Sequence, residues 1–303
     1  MTDQEFQSEL DSRVQQTEEV IRRFLPTEEG YARTVMEAMN YSVLAGGKRL
    51  RPLFLKETAS MYGARQELAE PFMAALEMIH TYSLVHDDLP AMDNDEFRRG
   101  RKTTWAVYGD GMAVIAGDGL LNYAYETALT AYDAAATESE KDRVFEALRI
   151  LAGNAGIYGM VGGQCADIMT DREQESLTPD LLHYIHKKKT ACMIESGFQI
   201  GAVLAGAPKE DVAALGSIAE DIGLAFQIQD DILDVTGDQK ELGKSIGKDA
   251  LEGKATYVSM NGLEAAAGKV KELTEHALLA MDGLSQENDF LKTLVEHLMT
   301  RRK

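Results

Sequence analysis

The chain has 303 residues, 45% hydrophobic and 27% charged, with a formal net charge of −19 at pH 7. That is ample material for a large core, and the acidic total argues against a nucleic acid or an anionic membrane surface as partner, since either needs a basic face. Cys165 and Cys192 are too few for a disulfide framework and lack metal-ligand spacing, so a cytoplasmic location is expected.

The first residues carry neither a basic nor an apolar leader pattern, and no apolar run approaches the length of a membrane span. Only six prolines occur, no Ser/Gly/Pro-rich tract marks a linker, and alternating β-branched runs are nearly absent. Residues 1–303 are therefore expected to form a single all-α domain. Positive charge is gathered in three knots, Lys48-Arg49-Leu50-Arg51, Arg98-Arg99-Gly100-Arg101-Lys102 and Lys187-Lys188-Lys189. Phosphate ligands thus remain compatible with the acidic total.

Residues 3–23 predict a charged amphipathic helix ending before Pro26, suited to covering the core or meeting another subunit. A second helix over about 28–45 stops at Gly46-Gly47, which can supply a left-handed residue, and Pro52 suits the first turn of the next. Lys48 and Arg51 are then held in a short turn at a helix N-terminus, a natural anion site. The plain alternative is a solvated basic turn. In the long helix expected over 67–89, Leu76, His80, Ser83 and Asp87 step by 4, 3 and 4, a stripe passing from apolar to anionic. His80 alone would be an ordinary core histidine; its stripe leads to aspartates.

That helix runs into Asp87-Asp88-Leu89-Pro90-Ala91-Met92-Asp93. An ideal helix sets Asp87 and Asp93 about 120° apart. Pro90 cannot donate to the His86 carbonyl, so the chain should bend or loop out there and let the two converge. Arg98 and Arg99 follow, and adjacent side chains diverge, so the pair could serve two different anions.

Residues 110–133 and 138–157 read as core helices, with Gly117 and Gly119 allowing close packing. Gly162-Gly163-Gln164 and Asp167 are small or polar residues in an apolar context. Thr178-Pro179 starts a helix expected to run to about Gly206 and to carry Lys189 and Thr190. Pro208 opens another, in which Gly223, Gln227, Asp230 and Asp234 repeat the 4, 3, 4 step. Asp230 and Asp234 share one helix face, with Asp231 at its edge. Residues 236–255 read as a loop with Lys244, Lys248 and Lys254, a candidate lid, and two or three amphipathic helices complete the chain. Oxygen-only clusters of this kind suit magnesium; either one alone could be a solvated acidic helix end.

Taken together, Gly46-Gly47-Lys48-Arg49-Leu50-Arg51-Pro52, the two aspartate clusters in this order, and Gly253-Lys254-Ala255-Thr256 make the chain resemble the short-chain trans-prenyl diphosphate synthases, over nearly its whole length. The form with Pro90-Ala91 inside the first cluster is that of bacterial farnesyl diphosphate synthases. The resemblance implies an isoprenoid synthase-like helical bundle around a deep central cavity, acting as a homodimer. It implies Mg2+ at Asp87, Asp93 and Asp230, with Asp88, Asp231 and Asp234 assisting. Isopentenyl diphosphate would meet Gly47, Lys48, Arg51, His80 and Arg99, and an allylic diphosphate would meet Arg98, Lys189, Lys244 and Lys254. Thr190 and Gln227 would flank the reacting carbons, and Tyr82 and Ser83 would form the floor of the product cavity. A geranylgeranyl synthase, a terpene cyclase, a squalene-synthase-like enzyme and a non-catalytic regulatory subunit are the rivals. The family commonly has proline where this chain has Lys102, which puts the stiffness of that turn in question.

Overall fold

The computed structural model describes residues 2–173, 177–237 and 256–301. The candidate lid lysines Lys244, Lys248 and Lys254 lie outside the described residues. Helix α1 (Asp3–Arg23) opens on a capping box between Thr2 and Glu5 and closes on Arg22 and Arg23, the charge order a helix dipole favours. Helix α2 (Arg33–Val43) is shorter than the expected 28–45. The Asn40 amide on α2 donates to the Pro26 carbonyl and the Glu28 carboxylate, both at 3.0 Å, so the preceding segment folds across the helix instead of extending it. Gly46 and Gly47 then take positive φ, and Arg49 caps α3 (Leu50–Met61) in the left-handed conformation.

Helix α4 (Gln66–Asp87) is the axis of the molecule. Every residue from Pro71 to Ile79 is buried, the pattern of a helix enclosed on all sides. A short hairpin follows, β1 (Phe97–Arg98) and β2 (Arg101–Lys102), then α5 (Thr104–Tyr108), α6 (Asp110–Ala134), α7 (Glu138–Ala155) and α8 (Met160–Glu173). Thr178 caps α9 (Pro179–Ile185) as its position before proline predicts. The helix expected to continue from there to Gly206 is instead interrupted by a π-helical turn over His186–Ala191 before α10 (Cys192–Ala205). Helix α11 (Lys209–Thr236) carries the second aspartate cluster. After it come α12 (Tyr257–Asn261), α13 (Leu263–Asp282) and α14 (Asp289–Thr300). No described helix is long and apolar enough to cross a membrane.

Two groups of buried side chains share a common layer. Leu55 and Ala59 of α3 and Met193, Ile200 and Leu204 of α10 join the group around α4, α6 and α7. Leu53 and Phe54 of α3 and Ile194, Phe198 and Ala202 of α10 join the group around α11, α13 and α14. Phe54 stacks on Phe198 at 4.8 Å between ring centres. At Gly201 a Cβ would lie 2.6 Å from the Leu55 carbonyl, so α3 and α10 cross at backbone contact. The α3–α10 pair therefore fixes how the helix ending in Asp87 sits relative to the helix carrying Asp230.

Candidate active site

The first cluster is built by the end of α4. Leu89 donates to the His86 carbonyl, and the chain then folds back so that the Asp93 amide donates to the Asp87 carbonyl at 2.9 Å. Asn94, at φ 54, donates to the Leu89 carbonyl. Pro90 thus produces the convergence its position predicted: Asp93 lies beside Asp87. Burial pushes the Asp87 carboxyl up to about 6, with Lys189 opposing and Asp93 reinforcing the shift. Its one side-chain hydrogen bond among the described residues comes from Gln164 at 2.6 Å. Asp88 is buried and takes both arms of the Arg98 guanidinium at 2.6–3.1 Å.

The hairpin aims the two arginines apart. Arg99 and Gly100 form a two-residue turn with φ 53 and 73, the positive pair a tight hairpin requires. Arg98 turns back to Asp88, while Arg99 reaches the Gly46 carbonyl. A Cβ on Gly47 would lie 2.6 Å from the Arg99 guanidinium and, at φ 146, would strain the backbone, so a side chain there would push Arg99 aside. At Lys102, where the resemblance led to an expected proline, the hairpin is closed by a Thr103 amide to the Glu96 carbonyl (3.0 Å) and by the Tyr41 hydroxyl donating to the Lys102 carbonyl (2.7 Å).

Around Arg99 the positive groups crowd. Burial lowers the Arg51 pKa, and its Nε is buried without a hydrogen-bond partner among the described residues. Burial drives the His80 imidazole well below its usual range, and Arg51 and Arg99 add to the shift. Crowded, desolvated cations beside a neutral imidazole make a seat for an anion. One turn on, the Ser83 hydroxyl is spent on the His80 carbonyl at 2.8 Å. Tyr82 is buried, edge-on to His86, with its hydroxyl pushed up to about 12 by burial.

The π-helical turn supplies the link to the second cluster, and helical periodicity gave no signal for it; such turns are frequent at functional sites. At Gly163 a Cβ would lie 2.2 Å from the Lys189 amide, and at Gly223 one would lie 2.4 Å from Ala191 Cβ, so α8 and α11 both press against the turn. Lys189 pairs with Asp167 of α8 at 2.6 Å. Thr190 donates to the Gln227 side chain of α11 at 3.1 Å. Gln227 in turn donates to Asp231 at 3.4 Å, and Asp231, buried, also accepts the Tyr257 amide at 2.9 Å. Asp230 is half-exposed and ion-paired to Arg301, and its charge acts on Arg51. Asp234 makes no side-chain hydrogen bond among the described residues. Gln164, Asp167 and Arg301 were not assigned roles from sequence; a Gln and an Asp three apart in an apolar helix were the available sign for the first two.

Among the described residues no three carboxylates stand close enough to cage a metal ion. Magnesium does not require such a cage, because it commonly takes one or two carboxylates and completes its shell with water and substrate phosphate. Asp87, a largely buried carboxyl with no cation in contact among the described residues, fits that demand. The Polyprenyl synthetase family model matches residues 32–296. The chain belongs to that family. It is 42% identical over 266 residues to the farnesyl diphosphate synthase of Geobacillus stearothermophilus, covering 86% of each chain. It is 39% identical to heterodimeric geranylgeranyl pyrophosphate synthase large subunit 2 of Arabidopsis thaliana, covering 93% of this chain and 73% of that one. The fold matches a Helicobacter pylori geranyltransferase complexed with magnesium and isoprenyl diphosphate, with TM-score 0.81, 30% identity, and 96% and 95% of the two chains covered. This family member is a prenyltransferase with trans-prenyl diphosphate synthase activity.

Proposed function

We propose that the enzyme makes farnesyl diphosphate by two successive additions of isopentenyl diphosphate, to dimethylallyl and then to geranyl diphosphate. The observation that carries this reading is Tyr82, a buried aromatic five residues before Asp87 on the central helix, next to the Pro90-Ala91 form of the first cluster. A geranylgeranyl product is the second reading, favoured by relatives that carry that name. Analysing the dephosphorylated products of wild type and Tyr82→Ala by chromatography decides between them. Fifteen carbons from wild type and longer chains from Tyr82→Ala are expected. Twenty carbons from wild type would establish the second reading. Tyr82→Leu, which keeps more of the packing, covers an alanine variant too unstable to use.

In this reading Gly47, Lys48, Arg51, His80 and Arg99 seat isopentenyl diphosphate, and the unmet Arg51 Nε supports an anion there. Asp87, Asp93 and Asp230, with Asp88, Asp231 and Asp234, would hold magnesium, which when bound neutralises charge on the allylic diphosphate. Arg98 and Lys189 add fixed positive charge at that diphosphate, with Lys244 and Lys254 as further candidates. As the allylic carbon–oxygen bond breaks, preset cations favour the departing pyrophosphate. The oxygens of Thr190 and Gln227 offer dipoles to the allylic cation. The isopentenyl double bond then forms the new carbon–carbon bond, and the proton it loses goes to the pyrophosphate.

The shared α3–α10 layer supports residues 1–303 acting as one domain. Both cysteines are free, in keeping with a cytoplasmic enzyme. A homodimer is supported by exposed Val114, Ile115, Leu129 and Tyr132 on α6, large apolar side chains that another subunit would cover. Light scattering giving a stable monomer at micromolar concentration would refute the dimer.

A further inference from the structure

Arg49 stands between the basic side chains of the 46–51 turn, yet it is buried while Lys48 is exposed. Its guanidinium donates from Nε to Glu18 of α1 at 2.7 Å, from Nη1 to Glu77 of α4, and from Nη2 to the Val43 carbonyl at the end of α2 at 2.6 Å. One side chain thereby ties three helices to the turn. Its backbone is left-handed at φ 50, a conformation a non-glycine residue keeps only when its surroundings hold it there. Glu77 is 3% exposed and lies one turn before His80 on α4. Its negative charge also acts on Arg51 and on Arg99, more strongly than any other charge near either one. Glu77 is therefore the buried counter-charge of three arginines, only one of which it touches directly.

We propose that Arg49 and Glu77 are a positioning pair, a buried post that locks the 46–51 turn onto α4. The post sets the spacing of Lys48, Arg51 and Arg99 for a diphosphate without contacting it. The proposal rests on the reading of those residues as the isopentenyl diphosphate seat. It also gives α1 a part in the site, through Glu18, beyond covering the core. Released from these contacts, the Arg49 backbone would relax to an ordinary conformation and turn the residues on either side of it. Misplacement of a charged contact by about an ångström is enough to cost up to about a hundredfold.

The test is calorimetric binding of isopentenyl diphosphate in metal-free buffer, joined to steady-state kinetics. Arg49→Gln strands Glu77 as an unpaired buried charge and should lower folded yield. The double variant Arg49→Gln/Glu77→Gln removes both charges at once and leaves two amides able to bond each other. The double variant is expected to stay folded, melting below wild type because Glu18 and the Val43 carbonyl lose their donor, and to bind isopentenyl diphosphate about tenfold more weakly. Its KM for that substrate should rise by a similar factor, with kcat and the KM for the allylic substrate within about threefold. Arg49→Lys, which keeps one ion pair, should recover part of the loss. A folded double variant that binds like wild type overturns the post while leaving the seat intact. A Lys48→Ala variant that binds as wild type does would overturn the seat, and the post with it.

Discussion

The two aspartate clusters use the same residue type in opposite ways. In the first, the helix ends and the chain folds back, leaving Asp87 largely buried, with only an amide donor among the described residues, and pushed up to about 6. In the second, the helix runs on without a break and the protein itself occupies two of the three carboxylates. Arg301 holds Asp230, and the Tyr257 amide and Gln227 hold Asp231. A carboxylate kept from water without a cation is costly, so the first cluster stores a demand for positive charge. The second is already part of the scaffold. Asp88 shows that the division is by residue and not by motif, since Arg98 claims it within the first cluster.

The largest expected effect breaks the comparison at its centre. Asp87→Ala should lower turnover by about a thousandfold or more, because it removes a ligand for charge that appears as the diphosphate departs. The variant should melt no lower than wild type in metal-free buffer. Asp231→Ala should also lose activity, but it leaves the Tyr257 amide without its acceptor, at a cost of about 1–3 kcal/mol of stability. Paired assays and thermal melts of the two variants check this. Equal stability losses would erase the distinction between a poised carboxylate and a structural one.

A pH series sharpens the same contrast. The Asp87 carboxyl titrates near 6 in the fold, against about 3.9 when unfolded. Between those values the folded state holds a proton that the unfolded state has released. Metal-free stability should therefore fall as pH rises from about 4 to about 6 and then level off. Asp87→Asn removes that slope. Above pH 6 the Asn variant should be more stable than wild type by up to about 3 kcal/mol, the difference fading toward pH 4. Denaturant melts at several pH values measure it, and parallel curves for the two proteins would show that burial of Asp87 carries no such cost.

Much of this arrangement was legible because it follows from local rules. Pro90 broke the helix, the 4, 3, 4 steps put His80, Ser83 and Asp87 on one stripe, and Thr178-Pro179 started a helix where expected. What was not legible depends on contacts between distant elements. No periodicity announces the π-helical turn, which is fixed by Gly163 and Gly223 pressing on it from two helices. Arg49 reads in sequence as one more residue of a basic knot; only the approach of Glu18 and Glu77 makes it a buried tie. Arg301 is separated from Asp230 by most of the C-terminal region, and no spacing rule joins them.

Arg301 gives the smallest and most specific test. Its guanidinium lies 3.9 Å over the Phe226 ring and pairs with Asp230, and its carbonyl accepts from Gln229 at 3.1 Å. It is a resident cation at a carboxylate proposed to hold magnesium, so it must compete with the metal. The competition is weak: Arg301 is nearly buried, but its partner Asp230 is 48% exposed, and a pair with one member open to water contributes only about 0–1 kcal/mol. That range converts to at most about a fivefold change in affinity, since 1.4 kcal/mol is tenfold. Arg301→Gln should accordingly bind Mn2+, read by its free-ion resonance signal, about two- to fivefold more tightly than wild type. Stability should fall by about 1 kcal/mol as the contact with Phe226 is lost. The same substitution in an Asp230→Asn background should leave metal affinity unchanged, because the carboxylate contested by the two cations is gone. Unchanged Mn2+ affinity in the single variant would make Arg301 a peg for the end of α14, with no part in the second cluster's readiness for metal.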